Sequence, residues 1–259
     1  MGDVVGEPGR EAVAARLGEM RHRWGVDMVV VNGENVAGGR GITPKLCIGL
    51  MRAGAAVVTT GDHVWDQREI LGHLEIEPRL LRPANYPAGA PGAGVVVLPG
   101  DKGRVAVINL QGRTFMRADL ECPFLHADRI LAELEGEADL IFVDFHAEAT
   151  SEKVAMGWHL DGRVGAVVGT HTHVQTADER ILPGGTAYLT DVGMCGAEDS
   201  VIGSEVGPVL EKFRTQLPVR FGMARGRVRL CGVLVDIDPG SGLATGIWRV
   251  QEVWENGKL

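Results

Sequence analysis

The sequence predicts an α/β protein, and three features carry that expectation. Short apolar runs recur along its 259 residues, each stopping at a polar or glycine-rich loop, as strands buried on both faces of a parallel sheet do. Segments with helix-start signals separate several of these runs. The composition is 45% hydrophobic and 23% charged, with 37 glycines. That supplies a large core and many turns, whereas a disordered chain is more charged and less apolar. No linker, repeat or low-complexity block divides the chain, so residues 1–259 are read as one domain.

The opening residues, Met1-Gly2-Asp3-Val4-Val5-Gly6-Glu7-Pro8-Gly9-Arg10, read as a loop entering a helix, with Pro8 near its start and its end near Trp24. Such a loop normally follows a buried strand, so either a strand upstream of Met1 or a gap in the sheet is expected. Residues 28–31 form a short buried strand ending at Asn32-Gly33-Glu34-Asn35. Thr43 can cap the next helix, with Pro44 in its first turn. Residues 55–60 give a strand ending at Gly61-Asp62-His63-Val64-Trp65-Asp66, and a short helix over about 68–73 follows, which Asp66 is expected to cap. After a turn-rich link at 81–87, residues 95–98 and 105–110 flank a glycine-containing turn as a hairpin. Residues 124–134 read as helix, 140–146 as a buried strand ending at His146, and 164–169 as a strand ending at Thr170-His171-Thr172-His173. Residues 185–190 give another strand. A helix over about 208–216 and a hairpin of residues 228–237 and 244–253 complete the chain.

Charge and cysteines exclude several classes. A formal charge of -8, with no basic stripe interleaved with aromatics, argues against a stable duplex nucleic-acid partner. A small nucleotide is compatible, because metal ions can supply local positive charge. Cys47, Cys122, Cys195 and Cys231 make no CxxC spacing, so they read as free thiols in a reducing compartment. No signal peptide and no run of about 18 apolar residues is present. The expectation is a soluble, cytoplasmic protein with no membrane partner.

Chemistry-bearing residues collect where the apolar runs stop. Asp3 lies in the first loop, Glu34 and Asn35 follow the next strand, and Asp62 and His63 the one after. His146 ends a later strand, and His171 and His173 follow another. In open α/β folds ligands bind outside the carboxyl ends of strands. Carboxylate, imidazole and amide oxygen together suit iron, manganese or zinc, whereas oxygen alone suits magnesium or calcium. Two such metals clamp a phosphate and lower the pKa of a bridging water, so that hydroxide attacks phosphorus while a general acid protonates the leaving oxygen. Taken singly, Asn32-Gly33-Glu34-Asn35 also reads as a plain turn. His22, His73 and His126 fall in helical stretches and read as surface residues.

With these pieces assembled, the sequence resembles the calcineurin-like metallophosphoesterases, and within them the YmdB-like bacterial group of 2′,3′-cyclic nucleotide phosphodiesterases. The resemblance rests on Gly2-Asp3-Val4-Val5-Gly6, Asn32-Gly33-Glu34-Asn35 and Gly61-Asp62-His63-Val64-Trp65-Asp66, with Asp144-Phe145-His146-Ala147-Glu148 and Gly169-Thr170-His171-Thr172-His173. It implies a four-layer α/β/β/α sandwich with two central sheets. It implies that Asp3, Glu34, Asn35 and His173 hold one metal, that Asp62, His146 and His171 complete the second, and that Glu34 bridges. By the same resemblance His63 is the general acid, Asn85 lines the substrate pocket, and the metals are iron or active manganese. The protein is expected to be a homo-oligomer acting on a small nucleotide or other phosphodiester. A phosphomonoesterase with the same centre, and a weakly active regulatory protein working through partners, are the alternatives.

Two departures from that pattern carry expectations. The group has asparagine where this chain has Asp62. An added negative charge there predicts tighter cation binding and a less electrophilic metal pair. The group also carries about five residues of buried strand ahead of Gly2. The expectation is that the native chain starts upstream of Met1, or that Asp3 hangs from a free terminus and holds the first metal poorly.

Overall fold

A computed structural model describes residues 1–255. The first strand, β1 (Asp3–Val4), leads directly into α1 (Gly6–Arg23). Helix α1 buries Gly9, Ala12, Val13, Leu17 and Met20, a spacing of three and four that makes one apolar stripe. Gly9 is required for close approach, because a Cβ there would lie 2.1 Å from the Cys195 carbonyl oxygen. The short parallel pair β2 (Val30–Asn32) and β3 (Val57–Thr59) follows, with α2 (Pro44–Ala53) between them. Thr43 caps α2 as expected, its hydroxyl accepting the Leu46 amide at 3.3 Å.

After α3 (Ile70–Ile76) the chain builds a second sheet. Strands β4 (Val95–Gly100) and β5 (Gly103–Gln111) make the expected hairpin. Then come α4 (Pro123–Glu133), β6 (Leu140–His146), α5 (Thr150–Leu160), β7 (Ala166–Thr170), β8 (Arg180–Ile181) and β9 (Ala187–Leu189). These strands form a six-stranded sheet in the order β4-β5-β6-β7-β9-β8, parallel from β5 to β9 through β6 and β7. The chain returns through β10 (Met194–Ala197), α6 (Val206–Thr215) and the hairpin β11 (Val228–Ile237) with β12 (Ala244–Trp254). A second group runs β1-β10-β11-β12.

The layers are those of a sandwich. Helices α1 and α2 pack on the β1-β10-β11-β12 and β2-β3 side through Leu17, Met20, Cys47, Leu50 and Leu230. Helices α4 and α5 pack on the six-stranded sheet through Ile130, Met156, Phe145 and Tyr188. Between the sheets lie two small apolar clusters, one around Val57, Leu81 and Val107, the other around Val168, Leu189 and Val192. A polar belt also crosses the layer. Thr59 of β3 donates to Asp144 Oδ2 of β6 at 2.5 Å, and Thr170 of β7 to Asp144 Oδ1 at 2.8 Å.

The structure corrects the sequence reading in several places. The first loop contains a strand, since β1 pairs in parallel with β10 in the register Asp3 with Met194 and Val4 with Cys195. Helix α5 and strands β8 and β10 were not expected. Helix α3 begins at Ile70 after Glu69, not beside Asp66, so Asp66 does not cap it. The single-domain reading extended to residue 259, and residues 256–259 lie outside the described residues.

Candidate metal centre

The residues flagged at the strand ends meet at one edge of the sandwich. Glu34 and Asn35 follow β2, Asp62 and His63 follow β3, His146 ends β6, and His171 and His173 follow β7. Strands from both sheets therefore deliver their loops to the same place.

Asp3 does not hang free. Its side chain is fully buried, and the chain around it is pinned: Gly2 N donates to Cys231 O at 3.1 Å and Asp3 N to Gly193 O at 3.1 Å. One carboxylate oxygen, Oδ2, accepts the His171 amide at 3.2 Å. The other, Oδ1, is buried without a hydrogen-bond partner, as expected of an oxygen whose natural partner is a cation. The expectation of a loosely held Asp3 is corrected.

Four ligand-type atoms from Glu34, Asp62, His146 and His171 lie within 4.8 Å of one another. His146 Nε2 is 3.1 Å from Glu34 Oε1, 3.2 Å from Asp62 Oδ1 and 3.0 Å from His171 Nδ1. Gly61 makes this crowding possible. A Cβ there would sit 2.1 Å from the His146 ring and 2.4 Å from Glu34 Oε2.

Each of three histidines has one ring nitrogen held from behind and the other turned toward the cluster. The Ile202 carbonyl lies 3.0 Å from His173 Nδ1. A carbonyl only accepts, so Nδ1 carries the proton and Nε2, 3.3 Å from Asn35 Oδ1, keeps its lone pair. His171 Nε2 meets Glu148 Oε2 at 3.1 Å, leaving Nδ1 for the cluster. His146 Nδ1 meets Thr170 Oγ1 at 2.9 Å. That hydroxyl gives its only proton to Asp144, so it accepts from His146 and leaves Nε2 forward. Fixing the tautomer through the distal nitrogen is how proteins orient imidazole ligands. His171 and His173 hold φ of 104° and 66°, a strained backbone for non-glycine residues of the kind found at functional sites.

The electrostatics favour a cation. Burial pushes Asp3 up to about 7, with His146 opposing and Glu34 adding to the rise. Burial alone would lower His146, but the Glu34 and Asp62 carboxylates outweigh it and hold the ring well above its ordinary value. Burial likewise disfavours charge on Asp62 and Glu34. Hydrogen bonds from His146 and His171 overcome it at Asp62, and the charge and hydrogen bond of His146 do so at Glu34, leaving both below the usual carboxylate range. A protonated His146 thus neutralises carboxylates that a metal would otherwise neutralise. The donor set of carboxylates, imidazoles and one amide oxygen fits a binuclear transition-metal site.

His63 sits beside the cluster. Its amide donates to Glu34 Oε2 at 3.3 Å, its Nδ1 lies 3.0 Å from Asp66 Oδ2, and its Nε2 faces Asp62 Oδ2 at 3.9 Å. Arg40 Nε holds the same Asp66 oxygen at 2.9 Å. Asn85 is placed differently. It is fully buried, and its amide donates to the carbonyls of Gln111 and Glu121 at 2.8 and 3.0 Å while Oδ1 accepts the Gln111 amide. Both donors are taken by backbone, so Asn85 pins β5 and offers no N–H to a ligand.

The sequence reading also missed the supporting residues Asp66, Glu148, Thr170, Lys153 and Asp191. Lys153 Nζ and Asp191 Oδ2 form a buried pair at 2.6 Å. Asp191 also accepts the amides of Thr172 and Gly193 at 3.1 and 2.8 Å, which clamps the loop carrying His171 and His173. Among these, Asp66 carried a signal, three residues after His63.

Sandwich and cluster together define a metallophosphoesterase, an enzyme class of the calcineurin-like superfamily. The family profile described as YmdB-like protein matches residues 1–250, and the chain belongs to that family. A Bacillus subtilis (strain 168) relative, described as a 2′,3′-cyclic-nucleotide 2′-phosphodiesterase, is 49% identical over 250 residues, covering 96% of this chain and 94% of its own. A crystal structure of a hypothetical protein from Thermus thermophilus has TM-score 0.90 and 42% identity, covering 98% of this chain and 97% of the other. One described as a novel phosphatase from Mycoplasma pneumoniae has TM-score 0.92 and 33% identity, covering 99% and 92%.

Proposed function

We propose that this chain hydrolyses 2′,3′-cyclic nucleotides at a two-metal centre. The observation that carries the reading is the convergence of Glu34, Asp62, His146 and His171 within 4.8 Å, behind which each ligand histidine has its other nitrogen held. The substrate class is supported by the description of the Bacillus subtilis relative. In this reading Asp3, Glu34, Asn35 and His173 would hold one metal, and Glu34, Asp62, His146 and His171 the other. When bound, the pair supplies Lewis acidity, neutralising phosphoryl oxygens and acidifying a water.

The chain's own residues do the rest. Water oxygen bonds to phosphorus as one of its protons leaves to solvent, the P–O2′ bond breaks, and the O2′ leaving oxygen takes a proton from Nε2 of His63, which is reprotonated from solvent. Asp66 holds Nδ1 of that ring at 3.0 Å, so the acidic nitrogen stays turned to the site. The Asp191–Lys153 pair keeps the 171–173 loop in its strained form.

A phosphomonoesterase at the same centre is the second reading, favoured by the Mycoplasma pneumoniae structure described as a phosphatase. Turnover of 2′,3′-cyclic AMP and of a nucleoside monophosphate by the metal-loaded protein, compared with His63→Ala at equal metal content, tests both. Cyclic-nucleotide turnover lost in the variant supports the first reading. Turnover of monoesters alone replaces it with the second. We further propose iron or manganese as the metals, supported by the mixed donor set, and cytoplasmic location. Among the described residues no helix is long and apolar enough to cross a membrane. A homo-oligomer is supported by Leu210, Phe213 and Leu217, exposed on and just after α6.

A further inference from the structure

The two proposed metal positions are supported differently. Glu34, Asp62, His146 and His171 cluster at strand ends inside the sandwich. Asn35 and His173, of the other position, meet beside them, with Asn35 Oδ1 3.3 Å from His173 Nε2. Two left-handed glycines fix Asn35. Its carbonyl accepts the Gly6 and Gly39 amides, both at 3.0 Å. Its Nδ2 donates to Gly39 O at 3.1 Å, which leaves Oδ1 for the site. Gly6 and Gly39 hold φ of 60° and 93°.

A tight turn fixes His173. Val201 and Ser204 exchange backbone hydrogen bonds at 2.9 and 3.0 Å, and between them Ile202 holds φ of 46°. A β-branched residue in that region is an outlier, and such strain persists only where the surroundings over-determine it. Here it aims the Ile202 carbonyl at His173 Nδ1, 3.0 Å away. The surroundings are residues 222–224. Ser204 bridges to Met223 in antiparallel fashion. Glu205 N donates to Gly222 O and Ala224 N to Gly203 O, both at 2.9 Å.

One side chain of that segment crosses to the Asn35 loop. A Cβ at Gly6 would lie 2.9 Å from Met223 Sδ, and one at Gly39 2.8 Å from its Cε and 2.9 Å from its Sδ. The thioether therefore fills the notch that the two glycines leave, and a flexible, unbranched side chain suits so irregular a gap. Met223 is half-buried. Among the described residues it belongs to none of the apolar clusters of either core, so its contacts serve the ligand loops. We propose that Met223 is a positioning residue for one metal of the pair. It ties the loop carrying Asn35 to the turn that orients His173, so that one surface segment holds two of that metal's ligands together. The inference rests on the two-metal reading above.

The test compares Met223→Ala, Met223→Leu and the unmutated chain after loading with manganese(II) and desalting. Three quantities are read: ions per chain, the affinity of each ion by competition with a chromogenic chelator, and hydrogen exchange at the Gly39 amide of the metal-free protein. Met223→Ala is expected to bind one ion about 10–100-fold more weakly and to keep the other near its unmutated affinity. Its Gly39 amide should exchange roughly tenfold faster. Met223→Leu refills the notch with a side chain of similar volume and should restore both readings. Met223→Gln, as long but polar at its end, should weaken the same ion, and it takes the place of the alanine variant should that not fold. Parallel weakening of both ions, no restoration by leucine, or unchanged Gly39 exchange reduces Met223 to packing and overturns the proposal. Fewer than two ions on the unmutated chain overturns the two-metal reading and the proposal with it. Two ions there, with unaltered affinities in Met223→Ala and Met223→Gln, overturn the proposal alone.

Discussion

Nδ1 of His146 lies 2.9 Å from Thr170 Oγ1, and through it the metal cluster is tied to the polar belt between the sheets. The hydroxyl donates its own hydrogen bond to Asp144, which also accepts from Thr59. Thr170→Val keeps the shape of the side chain and removes the acceptor behind His146. Metal affinity is expected to fall about 10–100-fold, measured by competition with a chromogenic chelator, while the thermal midpoint of the fully loaded protein falls by a few degrees because Asp144 also loses the hydroxyl's bond. An unchanged affinity refutes the orienting role.

His63 and Asp66 separate protonation from metal binding. His63→Ala is expected to lower kcat by about 10²–10⁴ with metal content unchanged. Asp66→Asn leaves the ring present but loosens its hold on Nδ1, so a smaller loss of roughly tenfold is expected. Parallel metal analysis and steady-state kinetics check both. Loss of metal in His63→Ala would reassign that residue to the ligand set.

Asp62 tests the effect of charge within the cluster. Its Oδ1 lies 3.2 Å from His146 Nε2 and 3.4 Å from His171 Nδ1. Asp62→Asn keeps an oxygen there and removes a negative charge. Weaker metal retention on dialysis and a kcat raised roughly tenfold are the expected outcomes. Tighter retention contradicts the charge argument.

The metal-free protein carries its own pH signature. Folding raises Asp3 from 3.8 to about 7 and raises His146 above 6.5. Both groups bind more protons folded than unfolded over the window above their ordinary values, so stability falls as pH rises there. Glu34 and Asp62 are lowered from 4.5 and 3.8, so their contribution is lost as pH falls through the acid range. Chelator-treated protein should therefore melt highest near pH 4–5 and lose several degrees by about pH 8. Metal-loaded protein should not show that loss, because cation charge takes the place of the protons. Parallel pH slopes for both forms contradict this account.

Much of the framework was legible because buried parallel strands announce themselves. The runs ending at Asn32, Thr60, His146 and Thr170 are apolar and stop abruptly, so the residues after them could be singled out as a site. What escaped has no local signature. Strands β1 and β10 are two and four residues long and exist through their pairing with each other and β11. Helix α5 begins without a side-chain cap and carries Gly157 on its buried face. A Cβ there would meet the Tyr188 ring at 2.5 Å, a requirement visible only after folding. The groups behind the histidines include a backbone carbonyl, that of Ile202, which no sequence pattern marks. Asn85 shows the converse, a polar residue that reads as functional and proves to be a pin between backbones.

The central claim is a binuclear centre, and metal stoichiometry tests it most directly. Protein loaded with manganese(II), desalted and analysed by inductively coupled plasma mass spectrometry should carry two metal ions per chain. Loss of one ion on His173→Ala and of the other on His146→Ala is the result expected from the separate positions of Asn35–His173 and the Glu34–Asp62–His146–His171 cluster. One ion or none per chain in the unmutated protein, under conditions where it turns over substrate, would contradict the account.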